Sequence, residues 1–362
     1  MAIDYEKIAQ DNIGRYGSEV NNYGPILLAH LYSDKTHFIF ELLQNAEDAL
    51  SKRARRQQSI RREVSFHVFK DRLEFSHYGV PFSEDDVRGI CGLVQSTKKE
   101  DATAIGKFGI GFKSVYAYTL SPEVHSGDEH FVIESFVRPS PRPARKVSAG
   151  RTLFCLPFDN PKVKAEEAFE EISIRLQGLG ARSLMFLSQI ETVEWKIEGR
   201  GTGAYSRQNR RRDGATTYIT LSSRDGRSRS EEEWICFEQP ISFPKTDVKG
   251  KVQAAFSLQT ETKGGHKAVR PVTGSMLYAF FPTEKETHLG MLIQGPYRTT
   301  PSRDNIPKDD AWNKNLVKLT AELIESSLEK LRNLDLLSVG ALESMPLNSR
   351  VFSTEHFLRP LF

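Results

Sequence analysis

Hydrophobic positions along the chain change period by region, and the changes predict its elements. Residues 1–50 read as helical, with a weak stripe at Tyr5, Ile8 and Ile13 and a stronger one at Ile26, Leu27, Leu28, Leu31 and Tyr32. Ser33 or Asp34 can cap the helix that follows. The period then falls to two. Val64, Phe66 and Val68, then Leu73 and Phe75, alternate with polar residues around Lys70 and Asp71, which predicts a β-hairpin. Residues 76–82 form a turn at its end, and Ser83 with Asp86 three residues on signals a helix start. Further strands are expected at Phe131, Ile133, Phe136 and Val137, at 153–157, and at Val193, Trp195 and Ile197, with a proline-rich loop over 139–143 and a helix over 164–179. Residues 252–258, 276–281 and 291–293 return to strands. Leu316, Leu319, Leu323, Ile324, Leu328 and Leu331 mark an amphipathic helix over 311–333.

Composition sets the scale. A chain of 362 residues holds two domains of ordinary size, and 27% charged with 38% hydrophobic residues is globular. A net charge of +3 is too small to imply nucleic acid by itself. Cys91, Cys155 and Cys236 are far apart and odd in number, so they suggest neither a disulfide framework nor a metal site. The N-terminus lacks the pattern of a secretory signal, and no window approaches a membrane helix, so a cytoplasmic protein is expected. The apolar ending at Phe357, Leu358, Leu361 and Phe362 fits either a chain cut from a longer one or a docking tail. Residues 199–230 are polar, basic and glycine-rich, and read as long surface hairpins near a domain boundary.

Three stretches carry candidate chemistry. On a helix, Glu41, Asn45 and Asp48 stand at i, i+4 and i+7, within an arc of roughly 60°. A carboxylate, an amide and a second carboxylate in a row suit a magnesium-bound phosphate, although taken alone they also describe an ordinary solvated face. Gly106, Gly109 and Gly111 punctuate a loop ahead of a helix-forming run, a local form that offers backbone N–H groups to an anion. Their spacing is GxxGxG, which is not the dinucleotide fingerprint. Residues 51–62 carry six cations, best read as a solvated helix end, with a phosphate or nucleic-acid patch as the alternative.

Taken together and in order, the helix with Glu41, Asn45 and Asp48, the strand-end turn with Gly79, the loop Ile105–Phe112 and the Gly150-Arg151-Thr152 segment resemble the ATP-binding domain of the GHKL family. That family holds the gyrase B subunit, the ninety-kilodalton heat-shock chaperones, histidine kinases and MutL. The stretches 41–50 and 105–116 most resemble the chaperone branch, and residues 74–86 its sacsin-type proteins. The resemblance implies an α+β Bergerat fold: a two-layer sandwich of a mostly antiparallel sheet with helices on one face, then a second, smaller α/β domain. It divides the chain into an ATP-binding domain over 1–198, basic hairpins over 199–232, a second domain over 233–335 and a tail over 336–362.

It also implies roles. Glu41 matches the general base that activates water, Asn45 the magnesium ligand and Asp48 a carboxylate lining the nucleotide. His77 and Gly79 stand at the adenine, Thr152 beside its water network, and Gly106, Lys107, Phe108, Gly109, Ile110, Gly111 and Phe112 form the lid and phosphate loop. Arg303, in Ser302-Arg303-Asp304, matches the arginine that reaches the γ-phosphate, with Arg298 its rival. The sequence departs from the family's DxGxG turn: His77 replaces the aspartate that accepts the adenine amino group, and Pro81 replaces the second glycine. A neutral imidazole nitrogen can accept one such bond. The expected activity is slow, Mg2+-dependent ATP hydrolysis that gates a lid over residues 95–110, in a chaperone-like module of a longer protein, with ATP and ADP as ligands and a homodimer or protein client possible partners. A non-catalytic nucleotide-binding scaffold is the alternative. A nucleic-acid-linked ATPase, motivated by basic segments 52–62 and 200–212, is less favoured.

Overall fold

In the computed structural model the described residues are 3–17, 34–56, 60–93, 111–241, 250–261, 265–300, 305–307, 309–347 and 352. The apolar stripe at 26–32, the cap at Ser33, the polar run at 95–101 and the C-terminal residues 353–362 lie outside them.

The helices form where sequence period and caps agree. Helix α1 (Tyr5–Tyr16) starts at Asp4, whose side chain accepts from the Lys7 N–H. Asp34 caps a 3-10 turn at Lys35–His37 that leads directly into α2 (Phe38–Ala54). Helix α3 (Glu84–Cys91) begins with the full capping box between Ser83 and Asp86. Helices α4 (Ala165–Gln177), α5 (Ala311–Asn333) and α6 (Val339–Glu343) complete the set among the described residues. The run after Gly111 differs from expectation: it is a 3-10 segment, Gly111–Ala117.

The strands are β1 (Glu63–Val68), β2 (Arg72–His77), β3 (Glu123–Ser126), β4 (Glu129–Glu134), β5 (Arg138–Pro141), β6 (Thr152–Pro157) and β7 (Thr192–Ile197). They continue as β8 (Gly201–Arg211), β9 (Thr216–Asp225), β10 (Ser228–Pro240), β11 (Lys251–Thr260), β12 (Lys267–Arg270), β13 (Met276–Ala279), β14 (Phe281–Glu286) and β15 (Leu292–Gln294). All belong to one open sheet in the order β14-β13-β15-β11-β10-β9-β8-β7-β1-β2-β6-β3-β4-β5, with β12 beside β11. Pairing is antiparallel except for β1 with β7 and β13 with β15. The protein is thus a mixed α and β fold built on a large, mostly antiparallel sheet.

Two local expectations change. The strand read through Phe136 and Val137 stops at Glu134, because Ser135 and Phe136 adopt φ of 51° and 67° and turn the chain back. The proline-rich stretch then becomes β5, at the sheet's edge, where Pro139 and Pro141 have a neighbour on one side only. The basic hairpins of 199–230 are long ladder strands.

Side-chain alternation produces two cores. In β10, Trp234 and Cys236 enter the core shared with α1, α2, α3 and α4, while Ile235 and Phe237 enter the core under α5. The continuous apolar run at 234–237 follows from burial on both faces. In the first half of the sheet, Val64, Phe66 and Val68 of β1 and Leu73 and Phe75 of β2 turn one face toward α2. His77 lies on that same face, opposite Val64 and Thr152.

Candidate functional site

Helix α2 is buried along most of its length, and its polar residues have distinct surroundings. Glu41 is only 8% exposed, and its Oε1 lies 3.4 Å from His37 Nε2, one helical turn earlier. Asn45 and Asp48, further along the same side, are half-buried. Glu41 faces Gly111 so closely that a Cβ there would lie 1.9 Å from Glu41 Oε2. Any side chain at 111 would displace the carboxylate, so glycine is required by the approach. The two ends of the expected site, the acidic helix and the end of the glycine loop, are therefore brought together.

The strand-end turn packs against the same helix. A Cβ on Gly79 would lie 2.4 Å from the Ala49 Cβ, next to Asp48, and the Val80 N–H donates to the Ala49 carbonyl at 3.2 Å. Arg53, in the last turn of α2, extends Nη1 to the carbonyls of Tyr78, Gly79 and Gly150 at 2.9, 3.2 and 3.0 Å. Such a guanidinium clamps the helix end to both loops. The expectation of a solvated helix end is corrected at Arg53, while Arg55 and Arg56 are exposed.

At the end of β2, His77 is 2% exposed, and its Nδ1 accepts from the Gly79 N–H at 3.0 Å. Its ring lies 6.0 Å from the rings of both Phe75 and Phe154. Burial lowers its pKa to about 4, so the ring is neutral near pH 7. The nitrogen expected to accept from a base is therefore already engaged. Thr152, paired with His77 across the ladder, is buried, with its hydroxyl 2.6 Å from that of Ser126, which also accepts from the Phe82 N–H. Phe112 packs in the core, 5.8 Å from Phe154.

Two buried charges beside the site escaped the sequence reading. Glu47 accepts from the N–H groups of Ser188, Gln189 and Ile190 at 2.6, 2.8 and 2.8 Å. Burial raises its pKa, against those three donors and the nearby Arg207. Lys113 is 1% exposed and donates to the carbonyls of Ile90, at 2.7 Å, and Phe136. Burial pushes its pKa down to about 8. Charge and helix position hint at neither role, because the partners of Glu47 lie 141 to 143 residues away.

Gly106, Lys107, Phe108, Gly109, Ile110 and Arg303 lie outside the described residues. Arg298 is described: it pairs with Asp310 at 3.2 Å and sits over the Trp312 ring at 5.4 Å, at the start of α5. Of the basic segment 200–212, Arg200 pairs with Glu170 and Arg207 is buried against the carbonyls of Leu187 and Ile190. Among the described residues no three His, Cys, Asp or Glu side chains converge on a metal position, and no helix is long and apolar enough to cross a membrane.

Comparison with known proteins finds likeness over part of the chain. The Sacsin domain family matches residues 26–138, a stretch containing Glu41, Asn45, Asp48, His77, Gly79 and Gly111. Over this stretch the likenesses support a sacsin-type branch of the GHKL superfamily, related to the ninety-kilodalton heat-shock chaperones. Among its relatives, Protein NO VEIN of Arabidopsis thaliana is 25% identical over 317 residues, covering 80% of this chain and 11% of that protein. Sacsin of Homo sapiens is 24% identical over 386 residues, covering 80% of this chain and 8% of sacsin. Chaperone protein HtpG of Campylobacter jejuni is 30% identical over 134 residues, 31% of this chain and 22% of HtpG. The chain thus spans about a tenth of the length of the first two.

Proposed function

We propose that this chain binds a magnesium nucleoside triphosphate between α2 and the sheet and hydrolyses it slowly, with ATP the substrate its family resemblance implies. The nucleotide state then drives a conformational change in a chaperone-like, ATPase-related module of a larger protein. The observation that carries the proposal is the close approach of Gly111 to Glu41 on a helix whose next turns bear Asn45 and Asp48 and abut the Gly79 turn. Glu41 accepts the proton of the attacking water, and His37, 3.4 Å away, steadies its carboxylate. Asp48 and Thr152 line the nucleotide, and Gly79 lets the backbone pass close to the base.

The donor set fits the implied metal. Asn45 supplies one hard oxygen beside two carboxylates, and a magnesium ion keeps water and phosphate oxygens as its other ligands. When bound, magnesium neutralises phosphate charge. In this proposal the nucleotide unit is a two-layer Bergerat sandwich within residues 1–198. Residues 233–335 form a second unit, linked to the first through the hairpins of 199–232. The module works in the cytoplasm.

Calorimetric titration tests the site. Magnesium nucleotide is expected to bind the wild type in the micromolar range or tighter, and Asn45→Ala is expected to lose most of the magnesium dependence while keeping the fold. Equal heats with and without magnesium in the wild type would remove Asn45 from its role, and no heat with any nucleotide would remove the site.

A further inference from the structure

Resting on the nucleotide-site reading, we propose that His77 makes the base subsite a hydrogen-bond donor, so that it selects purines with a 6-oxo group, guanine or hypoxanthine, over adenine with its 6-amino group. The Gly79 N–H points at Nδ1 of His77 over 3.0 Å. A nitrogen that accepts an N–H carries no proton, so a neutral ring must hold its proton on Nε2. A doubly protonated ring has no lone pair for Gly79, and burial opposes that form as well. Among the described residues none accepts from Nε2.

The tautomer is held in place by its surroundings. The ring packs against both Phe75 and Phe154, which also touch each other at 5.9 Å. The turn that supplies the Gly79 N–H is fixed to α2 by the contact with Ala49, the Val80 hydrogen bond and the Arg53 clamp. Gly79 is itself buried, so turning the ring over would leave its N–H without a partner. The base subsite therefore offers an N–H at His77. An oxo group accepts from that N–H. An amino group opposes it donor to donor, which leaves both buried groups unsatisfied, and a site built for one hydrogen-bonding pattern rejects the other strongly.

Two substitutions separate this proposal from its alternatives. His77→Asn keeps an oxygen for the Gly79 N–H and presents an N–H outward. His77→Asp has nearly the same shape but presents only acceptors. Binding of the magnesium complexes of ATP, GTP and ITP to the full chain is measured by calorimetry. ITP is included because hypoxanthine tests the oxo group without the 2-amino group of guanine. Wild type and His77→Asn are expected to favour ITP and GTP over ATP by about tenfold, and His77→Asp to reverse the order. Thermal unfolding of the isosteric pair checks that both variants are folded. A wild type that favours ATP, or equal preferences in the Asn and Asp variants, overturns the donor assignment while leaving the site intact. Failure of all three nucleotides to bind any of the proteins overturns the site reading and this proposal with it.

Discussion

His77 also controls stability through pH. Its folded pKa is about 4, lowered by burial from the ordinary 6.5. Below pH 6.5 the unfolded chain takes up a proton that the folded chain refuses, so stability rises with pH across this window. The contribution is complete above about pH 6.5 and is lost as pH falls toward about 4. Its full size is up to about 3 kcal/mol. Denaturant unfolding of the wild type between pH 7 and pH 4.5 should show this slope, and His77→Asn should flatten it. An unchanged slope in the variant would place the titration elsewhere. At this scale the sequence was informative where spacing alone carries meaning. Glu41, Asn45 and Asp48 fall on one side of a helix whatever lies opposite. It was silent on which nitrogen of His77 is free, because that depends on a turn conformation two residues on.

At the scale of elements, α2 joins the molecule together. Its Phe40 packs on Phe281 of β14 at 5.3 Å, and Glu47 holds the loop at 188–190 just before β7. The helix that bears the proposed general base therefore touches β14, at one end of the sheet, and the loop that leads into β7, in its middle. Glu47→Ala leaves the N–H groups of Ser188, Gln189 and Ile190, the last of them buried, without their acceptor, and removes a carboxylate from beside the buried Arg207. It is expected to destabilise the chain by about 3 kcal/mol. A shifted denaturation midpoint with an unchanged slope is the readout, and a loss below about 1 kcal/mol would show that water replaces the carboxylate. The helices were legible because their caps are local, as at Ser83 and Asp86 and along the stripe of α5. Ser135 and Phe136 misled because left-handed φ at non-glycine residues leaves no composition signal.

For the whole molecule, one ladder runs from β14 to β5, and the apolar layers lie on opposite faces of β10. Alternation in Trp234-Ile235-Cys236-Phe237 could be read as a buried strand, but not which core each face meets. The hairpins of 199–230 stand out in the sequence as polar, basic and glycine-rich. In the folded chain Arg200 and Arg207 are committed to internal partners, which weakens the case for a nucleic-acid surface. In the proposed function, this shared ladder is the route by which nucleotide state reaches the region under α5.

The central claim is water activation by Glu41 beside a bound nucleotide. Phosphate release from magnesium ATP and magnesium GTP, measured for wild type and Glu41→Ala at matched nucleotide occupancy, tests it most directly. Slow release is expected from the wild type with at least one of the two, and a fall of about 100-fold or more in Glu41→Ala with nucleotide binding retained. Equal release by the two proteins, or none by a nucleotide-bound wild type, would contradict it.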